Sequence, residues 1–443
     1  MTEEKQEDFV NVETSDKHSK DSDVDSIYKE SKPGRDSAAS LWYGPIKAGS
    51  LRGSIVSVIG STIGSGLLSF PYAFSKLGLI PACLLLLFVA SCSCWTLHLI
   101  LLAGLKTKIM SYGDLLTKVL GKKVQTIYSL CSVIILSGCI MSYMVSAYEM
   151  IEQFIQQIFN YNLVPYKKYL YSGCCLFFQI PLCLLRDLSK LQFASMIAFI
   201  MFIMTNLIVI CEAPFFYIQN KSNRIHFELF KPFDLFSYIE SAAIFMFSFI
   251  NHNAILEIVG SMNKPTLSRS KKVVNGSWLI ILGFYYTMGI AGYISKSDST
   301  PPIFITRDDL TSFSPDYFII VSRLVISLSL FCLIPLRWKI FRENIRNLLS
   351  YETLPIQLDF MMTVIGMLLL NILVYNTNVI TVLGVIGGIF TVVICFGIPL
   401  MDFVYTFRKK RDRIKGYLGF VILAIFVVVG TVSSVTSILD TFK

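Results

Sequence analysis

Gly60-Ser61-Thr62-Ile63-Gly64-Ser65-Gly66-Leu67-Leu68-Ser69-Phe70-Pro71 interrupts the first long apolar segment of the chain. In a helix interior glycine costs about 1 kcal/mol relative to alanine, and proline about 3 kcal/mol. In a bilayer, the backbone groups freed by such a break must find partners without water. A first spanning helix that breaks at mid-depth is therefore predicted to use its break, as one half of a ligand site.

The rest of the chain supports a membrane setting. Of 443 residues, 54% are hydrophobic and 16% are charged, against a usual charged share of about 25% in soluble domains. Apolar runs long enough to cross about 30 Å of hydrocarbon recur throughout. They predict an all-α polytopic membrane protein with eleven transmembrane helices, at about 54–75, 79–103, 125–155, 168–186, 191–213, 236–260, 273–295, 316–337, 357–375, 377–400 and 416–438. The polar stretch 1–50 reads as a disordered cytosolic tail, and 51–438 as the transmembrane domain.

The net charge of +9 is no nucleic-acid signal, because the cations sit in short loops between spans. They concentrate in alternate loops: Lys264, Arg269, Lys271 and Lys272; Arg337, Lys339, Arg342 and Arg346; Arg408, Lys409, Lys410, Arg411 and Arg413. That asymmetry places the N-terminus and these loops in the cytosol. The membrane is expected to be the plasma membrane or a vacuolar or lysosomal one. Most of the eleven cysteines lie in apolar runs, with no CxxC pair beside histidines. No metal site and no cofactor are expected. No nucleophile, base and oxyanion donors can be placed together, which argues against an enzyme.

A second break lies five spans later, in Phe245-Met246-Phe247-Ser248-Phe249-Ile250-Asn251-His252-Asn253-Ala254-Ile255-Leu256-Glu257. Three adjacent polar side chains, Asn251 to Asn253, are expensive in lipid unless they face protein or a cavity. Two broken helices in corresponding positions mark an inverted-repeat transporter, here with halves at about 54–213 and 236–400 and an extra helix at 416–438. In that arrangement the Gly64-Ser65-Gly66 amides form a positive half-helix end suited to a carboxylate, and glycine permits close approach. Two plainer readings stay open. Gly60-x-x-x-Gly64 also fits a helix-packing motif, and His252 also fits a buried, hydrogen-bonded histidine.

Ser54–Phe74, with Gly-Ser-Gly-Leu-Leu followed by Pro-Tyr-Ala-Phe, resembles the first helix of the amino acid/auxin permease superfamily, closest to its sodium-coupled neutral amino acid transporter branch. Phe247 to His252 is similar to that branch's Phe-x-Phe-x-x-His motif. Arg323, Pro335 and Arg337 resemble its helix eight. The resemblance implies a LeuT-type 5+5 inverted repeat plus one extra helix, and transport of an amino acid substrate, of the neutral class, by alternating access. It implies a proton or sodium as coupling ion, with the lipid bilayer as surroundings. A cationic amino acid carrier and an amino acid sensor on the same fold are the alternatives.

Carried over by position, Ile63, Gly64, Ser65, Gly66 and Leu67 face Phe247, Ser248, Phe249 and Asn251 across the substrate. The departures bear on the ion. Gly60 stands where sodium-coupled members have asparagine, and Phe331 and Leu333 stand where they have threonines. Glu257 replaces a proline of the motif. With His252 and Arg323 it makes up the set of coupling candidates, and the balance tips toward proton-coupled or sodium-independent transport.

Overall fold

The computed structural model describes residues 49–441 apart from 161, 185–187, 223–226, 264, 309–315, 350, 352–354 and 408–409. The expected N-terminal tail therefore lies, but for Gly49 and Ser50, outside the described residues. Helix α1 (Leu51–Thr62) begins where the Ser50 side chain accepts from Gly53 N at 3.1 Å, satisfying one of the free amides of a helix start. It stops at Ile63, whose backbone is extended. A 3₁₀ turn (Ser65–Ser69) then runs into α2 (Phe70–Leu77). Pro71 falls in the first turn of α2, where the arm passes from 3₁₀ to α-helical geometry. The two arms are bent by 57°.

Gly78 closes α2 with φ +86°, and a Cβ there would lie 2.9 Å from Lys231 N. Both the left-handed backbone and the close approach call for glycine. Next come α3 (Leu79–Thr107), the short α4 (Tyr112–Leu120) and the long α5 (Lys122–Phe159). Helices α6 (Lys167–Cys174) and α7 (Ile180–Leu184) are joined by a π-helical turn, Cys175–Gln179. Then follow α8 (Leu188–Ser222), α9 (Leu235–Ser248), α10 (Ile255–Gly260), α11 (Leu267–Lys296), α12 (Tyr317–Leu349) and α13 (Ile356–Val374). Helices α14 (Val379–Val385) and α15 (Ile398–Thr406) flank two further π-helical turns, and α16 is Lys410–Thr441.

Among the described residues, eight helices are long and apolar enough to cross a membrane, and the bent α1–α2 pair adds a ninth. The two remaining expected spans, 168–186 and 236–260, are built from shorter pieces. The polar run Asn251-His252-Asn253 divides the second of them. Helix α4 is a short amphipathic segment between α3 and α5 that a span count does not register.

The long helices wrap the broken ones. Helix α12 packs along α5 and α8, and α11 packs on α1, α2, α3 and α8. Helix α2 lies on α9 through Phe70, whose ring is 5.0 Å from Phe245 and 4.5 Å from Tyr285. Leu84, Phe88, Leu279, Phe360, Met361 and Val428 are exposed on the outside. An apolar exterior around a polar-dotted centre is what lipid requires.

Candidate functional site

Helix α9 is started by Asp234, whose carboxylate accepts from Phe236 N at 3.3 Å and Ser237 N at 3.1 Å. Hydrogen bonds to the charged form hold this carboxyl below the usual aspartate range, chiefly those from Ser237. The helix ends at Ser248, and the freed carbonyls are taken up by side chains. Tyr285 Oη–H donates to Ser248 O at 2.8 Å, and Ser93 Oγ–H to Phe249 O at 3.4 Å. His252 is fully buried, with Nε2 2.9 Å from Thr96 Oγ1. Protein partners meet part of the expense of a polar break in lipid, while His252 Nδ1 and Asn253 Oδ1 are buried without a hydrogen-bond partner among the described residues.

The second break is tied to the first. Asn251 Oδ1 accepts from Ser61 Oγ at 3.0 Å, and Asn251 Nδ2 donates to Val58 O at 3.5 Å. Just beyond, the first break packs so closely on the second break and on α5 that a Cβ would clash. A Cβ on Gly66 would lie 2.2 Å from Ser248 Oγ, and one on Gly64 would lie 2.4 Å from Tyr143 Oη. No side chain caps the start of the helical arm at Gly64, and the first N–H groups of a helix have no partner within it.

A small cavity sits at this meeting point. Thr62, Gly64 and Gly66 line it from the first break, and Phe247, Ser248 and Ile250 from the second. Cys139 and Tyr143 on α5 and Arg337 on α12 close it. It has room for about one water molecule, and admitting anything larger requires side chains to move.

Of the residues expected from the sequence, Gly64, Gly66, Phe247 and Ser248 border this cavity. Ser65 turns its hydroxyl to Ser142 Oγ, 2.8 Å away on α5. Ile63, Leu67 and Phe249 are buried in the core, Phe249 against Trp278 and Tyr285. Asn251 serves as the clamp described above. Glu257 is exposed, in the first turn of α10.

Arg323 is buried toward the opposite end. It donates to Ile305 O at 3.0 Å, to Arg307 O at 2.7 Å and to the Gln157 side chain. Beside it, the Arg307 guanidinium pairs with Glu212 and, at 3.5 Å, with Asp316. Phe331 and Leu333 are buried. The nearby hydroxyls of Ser327 and Ser329 donate to their own helix, to Arg323 O and Val325 O.

Arg337 borders the cavity, although the sequence reading did not count it among the site residues. Charge counting assigned it to a cytosolic loop, yet α12 continues to Leu349. Its Nε donates to Tyr143 Oη at 3.3 Å and its Nη2 to Ser61 O at 2.6 Å. The available signal was its place two residues after Pro335, within a helix whose apolar pattern carries on through Trp338 and Phe341.

The sequence profile described as "Transmembrane amino acid transporter protein" matches residues 47–442. The chain belongs to this family. It is thus a multi-pass membrane protein of the amino acid transporter family. Vacuolar amino acid transporter 6 of Saccharomyces cerevisiae is 23% identical over 56% of this chain and 56% of its own length. A relative from Plasmodium berghei is 27% identical over 67% of this chain and 47% of its own. The chain thus spans about half the length of these curated relatives. Amino acid transporter AVT3A of Arabidopsis thaliana is 24% identical over 89% of this chain and 92% of its own length. Among solved structures, the Eremococcus coleocola manganese transporter superposes with a TM-score of 0.57, covering 93% of this chain and 91% of that one at 11% identity. A Na⁺-coupled sialic acid symporter gives 0.53, covering 93% and 94%, also at 11% identity. At that identity the likeness concerns the fold alone, and this family member shares the helical architecture of those two proteins.

Proposed function

We propose that the protein is a secondary active transporter that carries neutral amino acids by alternating access. The observation that carries this reading is the clasp of two broken helices around one small cavity. Gly64 and Gly66 face Ser248 and Tyr143 with no space for a Cβ, and Asn251 ties one break to the other. Family membership supports an amino acid as the substrate.

In this reading the spans number eleven. The pieces at 167–184 and at 235–260 each cross once. Halves at about 54–213 and 236–400 form a LeuT-type inverted repeat, and 416–438 is the added helix. The N-terminal tail is cytosolic, and the membrane is the plasma membrane or a vacuolar or lysosomal one. The amides of Ser65 and Gly66, at the positive end of the second arm, receive the substrate carboxylate. Phe247 and Ser248 shape the side-chain end.

Transport is proton-coupled or sodium-independent. A sodium ion needs a cage of oxygen ligands. At the positions where sodium-coupled relatives place oxygens, this chain has Gly60, Phe331 and Leu333. The test is uptake of the twenty common amino acids into proteoliposomes, with pH and sodium gradients imposed separately. Uptake driven by the pH gradient, or by substrate alone, is expected. Uptake that collapses when choline replaces sodium and ignores pH would overturn the coupling assignment, and no uptake of any amino acid would overturn transport.

A further inference from the structure

We propose that Arg337 is a substrate-facing, charge-selecting residue: its guanidinium pairs with a carboxylate of the transported molecule and excludes cationic substrates. The proposal rests on the transporter reading above and concerns the chemistry of its site.

Three observations carry it. Arg337 borders the cavity directly, beside Gly64, Gly66 and Ser248. Its protein partners are a backbone carbonyl, Ser61 O, and a hydroxyl, Tyr143 Oη. The titratable groups around it are the Tyr143 and Tyr285 hydroxyls and the Cys139 thiol. Among the described residues no carboxylate pairs with it.

Arg337 is half-buried, and a guanidinium partly withdrawn from water is costly without a counter-charge. The carbonyl end of α1 offers only the partial negative charge of a helix C-terminus. Two other arginines have carboxylate partners: Arg307 has Glu212 and Asp316, and Arg342 has Asp359. The two bonds made by Arg337 use its Nε and Nη2, and the rest of the planar fork stays available. That fork matches a carboxylate bidentately. Tyr143 Oη links it to the first break, since it lies where a Cβ of Gly64 would stand. A carboxylate held at the Gly64–Gly66 turn would thus be within the field of Arg337, and a lysine or arginine side chain in the same space would meet a like charge at the cavity wall.

Two carboxylates could be the partner: the α-carboxylate that every amino acid has, or the side-chain carboxylate of an acidic one. Glutamate, glutamine and lysine separate them, because glutamate and glutamine match in size and differ in charge. Wild-type protein in proteoliposomes is expected to carry the best neutral or acidic amino acid at least about tenfold faster than lysine or arginine. Arg337→Gln should weaken the apparent affinity for the carried substrate by about tenfold and narrow the margin over lysine. Arg337→Lys should keep the wild-type order. A loss falling on glutamate more than on glutamine identifies the side-chain carboxylate, and an equal loss identifies the α-carboxylate.

A strut that merely joins α1, α5 and α12 would change stability and overall rate without altering these ratios. Wild-type uptake of lysine equal to that of glutamine, or unchanged ratios in Arg337→Gln, would overturn the proposal while leaving transport intact. The wild-type charge series needs no variant, so misfolding of Arg337→Gln does not rescue the idea. No uptake of any amino acid would overturn the transporter reading and this proposal with it.

Discussion

Gly66→Ala tests the clasp between the two breaks most directly. A methyl group there would lie 2.2 Å from Ser248 Oγ and 3.2 Å from Ser248 Cβ, with a Phe247 ring carbon at 3.4 Å. Ser248 is not free to turn away, because its hydroxyl donates to Ile244 O at 2.8 Å. Rotating it off that carbonyl forfeits about 1 kcal/mol net, and forcing a methyl into a packed contact costs about 1–3 kcal/mol. Alanine recovers about 0.4–1 kcal/mol by restricting the unfolded chain. The net is about 2 kcal/mol against the closed packing, or about 30-fold in an equilibrium or rate that depends on it. The assays are the melting temperature of purified protein and the initial uptake rate in proteoliposomes. Ser248→Gly removes both offending atoms, so the Gly66→Ala/Ser248→Gly pair should lose less than the sum of the single changes. A coupling of about 1–2 kcal/mol is expected for groups in direct contact. Wild-type melting and uptake in Gly66→Ala, or strict additivity in the double variant, would refute this account of the meeting of the breaks.

Other outcomes follow from separate parts of the molecule. Arg307→Ala strands Glu212 and Asp316 in a buried cluster, and should cost about 3–5 kcal/mol in unfolding experiments; a change under about 1 kcal/mol would mean the cluster is solvated. His252→Ala empties a fully buried position and removes the partner at Thr96, and should cost about 2–4 kcal/mol. A melting curve matching the wild type would show that His252 is not packed as described. Asp234 caps α9 as a carboxylate whose folded-state pKa is depressed, first by its hydrogen bonds with Ser237. A depressed value means the stabilisation is present above the unfolded value, about 3.9, and is lost as pH falls through the folded one. Wild type and Asp234→Ala should therefore differ in melting temperature at neutral pH and converge below about pH 4; a gap that does not vary with pH would rule out the charged cap.

How far the sequence reaches is clearest at particular residues. Gly60 to Pro71 could be read because a bilayer admits few ways to interrupt a helix, so a cluster of glycines before a proline stands out against apolar neighbours. The break at Asn251-His252-Asn253 was legible for the same reason, since three polar side chains at mid-span need partners. The division of labour among these residues was not legible. Outside regular helix no period tells which side chain faces inward, and packing alone sent the Ser65 hydroxyl to Ser142 and Phe249 toward Trp278 and Tyr285. The span at 168–186 gave no warning of its π-helical turn, because hydropathy does not see backbone hydrogen-bond register.

Arg337 marks the boundary most sharply. By sequence it is one of several cations near the end of an apolar run, and a rule that counts charges in loops places it in the cytosol. Hydropathy scores a residue by what it is and not by what surrounds it. Once α12 is laid along α5 and against the end of α1, the same guanidinium lies between Tyr143 and Ser61 at the wall of the cavity. The sequence by itself determined that this chain crosses a membrane many times and breaks two of its helices, because the bilayer constrains each segment separately. Which side chains share the space between those breaks was decided only by tertiary structure, because it depends on how helices far apart in the chain rotate and pack against one another.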